Sequence, residues 1–184
     1  MKNRCVWAKD ELNIEYHDNE WGVPQHDDQK LFEFLVLEGA QAGLSWTTIL
    51  KRRDGYRKAF SNFDPLKVSK YSSKNIEKLL CNPEIIRNKL KINSTINNAK
   101  HFLEIQKEFG SFDKYIWGFV NYKPIINNFK KHTDLPSSTF ISKKMSDDLK
   151  NRGFTFIGPT ICYAFMQAIG MVNDHTVDCF VKKL

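Results

Sequence analysis

Apolar residues recur at helical spacing along most of the chain, whereas strand-like alternation is scarce. Residues 28–38 are apolar almost all round, the pattern of a buried helix that begins at one of two adjacent aspartates. Ser45 fits the N-cap of a second helix over 46–60. The sequence therefore predicts two helices that meet at a glycine-containing break over 39–43.

The same periodicity predicts further helices over residues 75–80, 87–109, 111–120, 140–151 and 159–169. Pro159 after Gly158 fits the first turn of the last of these helices, and Gly170 fits its end. The polar stretch 121–138 carries two prolines and is predicted to be a surface excursion. We predict one all-α domain over 1–184, formed of two helical lobes.

The charge balance favours a polyanionic partner without identifying it. The chain has 28 basic and 21 acidic residues, a formal net charge of +7. The lysines are dispersed, so a solvated basic surface explains this charge equally well. The N-terminus lacks a signal-peptide stretch, and no run approaches the roughly 18 apolar residues of a membrane helix, so we expect a cytoplasmic protein. There, cysteines are expected to be thiols or metal ligands.

Two pairs of residues at opposite ends of the chain have the chemistry of a metal site. Cys5 and His17 lie near the start, and His175 and Cys179 near the end. Two thiolates and two imidazoles suit tetrahedral Zn²⁺, and the second pair has ordinary ligand spacing. The alternative is an unrelated scatter of two buried thiols and two polar histidines. With four protein ligands the site would be structural, because no position stays open for a catalytic water.

Three long segments, residues 16–24, 37–46 and 153–175, carry a specific resemblance in the same order. With them the chain resembles the DNA-3-methyladenine glycosylase I family of the helix-hairpin-helix superfamily over essentially its whole length. The resemblance implies a repair enzyme that flips a base out of double-stranded alkylated DNA, hydrolyses its N-glycosidic bond and releases free 3-methyladenine. It also implies a structural Zn²⁺ that joins the two ends through Cys5, His17, His175 and Cys179.

Glu38 follows Leu31, Phe34 and Leu35 at helical spacing, so its carboxyl is predicted to face the interior. Capping or local pairing at the helix end is one explanation. The resemblance implies instead that Glu38 is the catalytic carboxylate of the base pocket, where it accepts hydrogen bonds from the adenine edge and places negative charge near a cationic lesion.

Aromatic residues near the start of the chain are the other candidate pocket residues. The resemblance implies that Tyr16 and Trp46 contact the extruded base. Stacking of a cationic base on the Trp46 indole would add on the order of 1 to 2 kcal/mol when desolvated. Trp7 and Trp21 complete the aromatic wall in this interpretation, or they pack in the core or against the zinc site.

The resemblance also places the DNA contacts in two loops. Small residues around Leu44 would let the backbone approach DNA, and Leu44 is either a wedge that fills the gap in the duplex or a leucine buried at a helix corner. A hairpin before the last helix would bind a phosphate through backbone amides, with Lys150 and Arg152 nearby. The DNA-binding residues expected are Gln41, Gly43, Leu44, Gly153 and Gly158.

Two positions depart from the wider pattern. Asn173 stands where much of the superfamily has a catalytic aspartate, and we do not assign Asp174 to that role, because a cationic base is already a good leaving group. Asn13 replaces a frequent aromatic, so part of the pocket wall is undefined. No motif places a lysine for Schiff-base formation, which predicts a monofunctional enzyme.

Two other classes of function compete with this interpretation. A non-catalytic, zinc-stabilised nucleic-acid-binding module would keep the hairpin and the basic surface, but it has little use for a buried carboxylate beside aromatic rings. A metal-dependent hydrolase requires an open coordination position, which four protein ligands exclude. We expect a monomer.

Overall fold

The structure is a computed structural model that describes residues 3–183. Its helices are α1 (Glu11–Asn19), α2 (Asp28–Gln41), α3 (Trp46–Leu50), α4 (Arg53–Ala59), α5 (Pro65–Val68), α6 (Ser73–Cys81), α7 (Lys89–Phe109), α8 (Phe112–Trp117), α9 (Phe140–Asn151) and α10 (Pro159–Ala168). Short 3₁₀ turns follow α4 and α8, and the all-α prediction is confirmed. Within the described range, no helix is long and apolar enough to cross a membrane.

Most helices begin where the sequence provides a side-chain acceptor for free backbone amides. The Asp27 carboxyl accepts from the Lys30 amide, and the Ser45 hydroxyl accepts from the Thr48 amide. Helix α10 begins at Pro159, after Gly158, as predicted. These helix N-termini are predictable from the sequence, because capping involves residues within one turn of each other.

Two predicted boundaries were wrong. Helix α2 continues through Gly39 to Gln41. Gly39 does not end the helix but allows close packing within it, because a Cβ there would lie 3.3 Å from the Phe156 carbonyl oxygen. The predicted helix over 46–60 is divided into α3 and α4, because Arg52 leaves helical geometry at φ −109° and ψ 0°.

Helix α2 forms the centre of the molecule. Every residue from Leu31 to Ala40 is buried, and the helix packs against α3, α7, α8 and α10. Phe32 of α2 meets Phe102 of α7, with ring centroids 5.2 Å apart. A helix surrounded in this way fixes the position of any polar side chain that it carries, Glu38 among them.

The segment 121–138, predicted to be a surface excursion, pairs with the C-terminal part of the chain. It contains strand β1 (Ile125–Ile126), which pairs in parallel with strand β2 (Val172–Asn173) beyond α10. The Val177 amide also donates to the Phe129 carbonyl at 3.0 Å, and the Lys182 ammonium donates to the Asn127 carbonyl. The segment is therefore attached to the C-terminal part of the chain.

Candidate active site

A cavity of about 330 Å³ lies beside the buried end of α2. It brings together six side chains that the sequence singled out as base-pocket or loop residues: Trp7, Tyr16, Trp21, Glu38, Gln41 and Trp46. Asn13, Thr47, His132, Leu135, Ala164 and Gln167 complete its lining. The residues come from α1 and the turns on either side of it, from α2, α3 and α10, and from the segment 121–138, so the cavity forms only when distant parts of the chain meet.

Aromatic rings form one side of the cavity. The rings of Tyr16 and Trp46 are 5.2 Å apart at 49°, and those of Trp7 and Trp21 are 5.0 Å apart at 79°. Trp7 also lies 6.3 Å from Tyr16. These four side chains present a continuous aromatic surface of the kind on which a nucleic-acid base stacks.

Glu38 supplies the carboxyl of the cavity. Its side chain is only 5% exposed, and burial raises its pKa to about 8. Burial is the sole cause of that shift, since no cation or hydrogen-bond donor of the described residues offsets it. This desolvation favours the neutral carboxyl over the anion that the sequence predicts. Burial and then the charge of Glu38 also raise the pKa of Tyr16.

Two amide side chains in the cavity are each held by an aspartate. Asn13 Nδ2 donates to Asp10 Oδ2 at 2.5 Å and to Thr47 Oγ1 at 2.7 Å. Gln167 Nε2 donates to Asp174 Oδ2 at 2.8 Å. Because an aspartate carboxylate only accepts hydrogen bonds, both amide nitrogens must face their aspartates. Asn13, whose two N–H groups are both engaged, then has only its carbonyl oxygen to offer to a ligand, whereas Gln167 keeps its carbonyl oxygen and one N–H.

Asp174 itself is buried and fully engaged away from the cavity. It is 1% exposed, and it also accepts from the Tyr163 hydroxyl at 2.6 Å and from Asn127 Nδ2 at 2.7 Å. It does not line the cavity. Asp174 is therefore placed as a structural acceptor and not as a catalytic carboxylate, as the sequence predicts.

The cavity adjoins a cleft of about 250 Å³ between the loop 41–44, which we call the cavity loop, and the start of α10. Gly43 has φ +77°, a backbone conformation that favours glycine, and no atom lies within 4 Å of where its Cβ would be. Leu44 is 40% exposed at the tip, so it is not buried at a helix corner.

The hairpin loop, residues 153–158, connects α9 to α10 and leads into the other side of that cleft. Of the two basic residues expected beside it, Lys150 is exposed, but Arg152 is bound elsewhere. Its guanidinium pairs with Glu108 at 2.7 Å and with Asp148 at 3.0 Å. These carboxylates compete with a phosphate for the Arg152 guanidinium, and the role of the hairpin loop in phosphate binding stays a prediction.

Cys5, His17, His175 and Cys179 form a buried cluster whose ligand atoms all lie within 4.8 Å of one another. Sγ of Cys179 is 3.4 Å from Nε2 of His17 and 3.5 Å from Nδ1 of His175, and Cys5 Sγ is 3.7 Å from the latter nitrogen. Ligand bonds of about 2.3 Å to sulfur and 2.0–2.1 Å to nitrogen give a tetrahedral edge of about 3.6 Å. The four residues therefore fit a tetrahedral metal ion.

The surroundings of the cluster orient its imidazoles as a metal site requires. His17 Nδ1 is 2.8 Å from Asp18 Oδ1, and His175 Nε2 is 3.0 Å from the Trp21 carbonyl oxygen. Each ring thus turns its other nitrogen toward the cluster. Burial raises the pKa of the Cys5 thiol to about 11 and lowers that of His175 to about 4. A bound cation would supply the charge that burial denies to the thiolates.

The metal cluster and the cavity share two side chains. Trp7 lies edge-on to His17 at 5.2 Å, and Trp21 lies edge-on to His175 at 4.6 Å. Both tryptophans also line the cavity. The two interpretations left open for them, pocket wall and packing against the metal site, therefore apply together.

Sequence reasoning missed Thr47, His132, Leu135, Ala164 and Gln167 as cavity residues. Gln167 could have been found from the sequence, because a long polar side chain in the largely apolar helix α10 needs a hydrogen-bond partner. His132 and Leu135 gave no local signal, since their position depends on the pairing of β1 with β2.

Comparisons with known proteins agree with this geometry. Residues 7–182 match the family model described as methyladenine glycosylase. A DNA-3-methyladenine glycosylase of Haemophilus influenzae is 48% identical over 183 residues, which cover 99% of each chain. A crystal structure of a 3-methyladenine DNA glycosylase I superposes with TM-score 0.95 at 47% identity, covering 97% of this chain and 98% of that one. A Y16F variant of such an enzyme, in complex with 3-methyladenine, gives TM-score 0.95 at 36% identity, with 98% and 97% coverage.

Proposed function

The chain belongs to the methyladenine glycosylase family, and from this premise we propose that its cavity receives a single 3-methyladenine flipped out of alkylated double-stranded DNA. The enzyme hydrolyses the N-glycosidic bond and releases the free base. The observation that carries the proposal is one cavity of about 330 Å³ with aromatic walls and a buried carboxyl. That volume lies at the lower end of the roughly 300–1,000 Å³ range of ligand sites, as suits one base.

The base is recognised in two ways, by stacking on aromatic rings and by hydrogen bonds to its polar edge. Trp46 and Tyr16 stack on it, a contribution of about 1–3 kcal/mol for each base–aromatic contact. Glu38 and the two aspartate-held amides contact its polar edge. Because the Asn13 amide presents only its carbonyl oxygen, it favours a base that displays a hydrogen-bond donor such as an exocyclic amino group.

Cleavage exploits the positive charge of the methylated nucleotide. The bond between C1′ and the base nitrogen breaks, its electron pair stays with the base, and the base leaves as a neutral molecule. A water oxygen bonds to C1′ and loses a proton. A cation in the cavity lowers the pKa of Glu38, whereas the neutral product restores it, so Glu38 is suited to take up that proton.

The proposed activity does not extend to strand cleavage. Schiff-base formation requires an amine beside the sugar. None of the described residues that line the cavity is a lysine. We therefore propose a monofunctional glycosylase.

Analysis of the bases released from methylated genomic DNA tests this function. We expect the protein to release 3-methyladenine, and Glu38→Gln to reduce release by about a hundredfold and to weaken free-base binding, because the amide can neither ionise nor take up a proton. Glu15→Gln, at an exposed glutamate of α1, is the matched control and should behave as wild type. Unchanged turnover by Glu38→Gln would remove Glu38 from the site, and release of no 3-methyladenine would contradict the function.

The rival non-catalytic binding module is distinguished by tryptophan fluorescence. Free 3-methyladenine should quench or shift the emission of a protein with Trp46 in its base pocket, and it should leave a DNA-binding module without such a pocket unchanged.

We also propose that the ion bound by the Cys–His cluster is Zn²⁺ in a structural role. Support comes from the two-sulfur, two-nitrogen ligand set and from edge lengths of 3.4–3.7 Å. The protein is further proposed to be a cytoplasmic monomer.

A further inference from the structure

Helix α7 contributes no residue to the cavity, yet its polar side chains hold both loops that flank the cleft. Lys91 Nζ donates to the Ala40 carbonyl oxygen at 2.8 Å and to the Ala42 carbonyl oxygen at 2.7 Å. These two carbonyls are on either side of Gln41, at the start of the cavity loop. One ammonium group thus fixes the backbone where α2 ends.

The end of α2 requires such a partner. The last carbonyls of a helix lack intrahelical donors and carry partial negative charge. The last turn of α2 has no basic residue of its own, and the Ala42 amide makes only a long contact of 3.4 Å to the Gly39 carbonyl oxygen. Ala42 leaves the helix at once, with φ −44° and ψ 116°. Lys91 therefore caps α2 from a different helix.

A second attachment joins α7 to the hairpin loop. Asn98 Nδ2 donates to the Thr155 carbonyl oxygen at 2.9 Å, and the Thr155 amide donates to Asn98 Oδ1 at 2.9 Å. Asn98 is 4% exposed, so water cannot substitute for these bonds. Ser94 Oγ also donates to the Thr155 carbonyl oxygen, at 3.2 Å.

The two attachments lie on one face of one rigid element. Lys91 and Asn98 are seven residues apart, a spacing of about 10.5 Å along an α-helix on nearly the same side. Between them α2 and the hairpin loop touch directly, since a Cβ on Gly39 would lie 3.3 Å from the Phe156 carbonyl oxygen. Helix α7 therefore determines how far the cavity loop lies from the hairpin loop.

We propose that Lys91 and Asn98 are positioning residues that set this separation so that both loops engage the duplex on either side of the flipped nucleotide. The inference rests on the proposed function. It predicts that loss of either attachment impairs excision from DNA while it spares recognition of the free base. The rings of the cavity pack against one another and against the metal cluster, and Glu38 lies on a helix that several other helices surround.

Lys91→Met tests the proposal, because it keeps the aliphatic stem and removes the ammonium. We expect KM for methylated duplex DNA to rise and kcat/KM to fall by about tenfold, the loss typical of a hydrogen bond to a charged group. The dissociation constant of free 3-methyladenine, measured by tryptophan fluorescence, should stay within about twofold. Lys91→Arg should restore part of the activity on DNA. Lys100→Met, at an exposed lysine of the same helix, is the matched control.

Asn98→Leu tests the second attachment. The double variant, which combines Lys91→Met with Asn98→Leu, measures the energetic coupling between the two residues. Because both residues fix the same distance, the double variant should lose less than the product of the single losses. The proposal is overturned if Lys91→Met excises from DNA as wild type does, or if affinity for the free base falls in parallel with excision, as a general loss of structure would produce. Wild-type protein that neither binds the base nor releases it would overturn the proposed function and this inference with it.

Discussion

At the scale of single residues, the inward orientation of Glu38 depends on nearby sequence, whereas its pKa depends on the whole fold. Helical spacing from Leu31, Phe34 and Leu35 predicted that it faces inward, and the structure places it in the cavity. Its protonation was not predictable from the sequence, because the shift depends on desolvation by residues of several distant segments. The same burial that creates the site disfavours the charge expected of it.

Glu38→Gln should therefore stabilise the protein in a pH-dependent way. The pKa of Glu38 rises from its ordinary 4.5 to about 8 on folding, so the folded state holds a proton that the unfolded state releases. This stability is present below pH 4.5 and is lost as the pH rises through 8. Glutamine does not titrate, so the advantage of the variant should grow between pH 4.5 and 8. Thermal unfolding of wild type and variant at pH 4.5 and at pH 8 measures this difference in stability. A difference of the same size at both pH values would show that Glu38 ionises normally.

At the scale of elements, local signals predicted the helices well and failed at long-range contacts. The apolar periodicity and the caps of α2, α7, α9 and α10 lie within a few residues of each other, and these helices occur where they were predicted. Helix α1 was missed, because its polar sequence shows little amphipathic pattern. The sequence of the segment 121–138 predicts only a surface excursion, because its pairing with residues beyond α10 produces no pattern within the segment itself.

This segment should contribute to base affinity through Leu135. Leu135→Ala removes part of the cavity wall, a loss of about 1 kcal/mol that corresponds to a roughly fivefold weaker dissociation constant for 3-methyladenine. Fluorescence titration measures this constant. Leu66→Ala changes an exposed leucine outside the cavity and should bind as wild type does. Equal affinities of the two variants would show that the segment does not touch the base.

At the scale of the whole molecule, the metal cluster joins segments some 170 residues apart. Spacing alone could not distinguish four ligands from an unrelated scatter, because only the folded chain brings Cys5 to within 3.7 Å of His175. The cluster also supports Trp7 and Trp21 at the cavity. A metal ion bound by this cluster would therefore stabilise the fold and one wall of the cavity at once.

Removal of the metal should lower both stability and base affinity. Opening a loop of this length releases several kcal/mol of chain entropy, which for a protein of this size lowers Tm by about 10 °C. Cys179→Ser should lose the metal and show this decrease, whereas Cys81→Ser, at an exposed cysteine, should retain one ion per chain. Elemental analysis measures the metal content, thermal unfolding measures the stability, and fluorescence titration with 3-methyladenine measures the base affinity. An unchanged Tm after chelation with complete metal loss would contradict a structural role.

The distance in sequence between the two halves of the metal cluster also orders events during synthesis. Cys5 and His17 are synthesised well before His175 and Cys179, so the earlier helices can begin to collapse before all four ligands are available. The cavity also needs Ala164 and Gln167 of α10, which are likewise translated late. We therefore expect a nascent chain that stops before residue 164 to bury much of its interior without a complete base pocket.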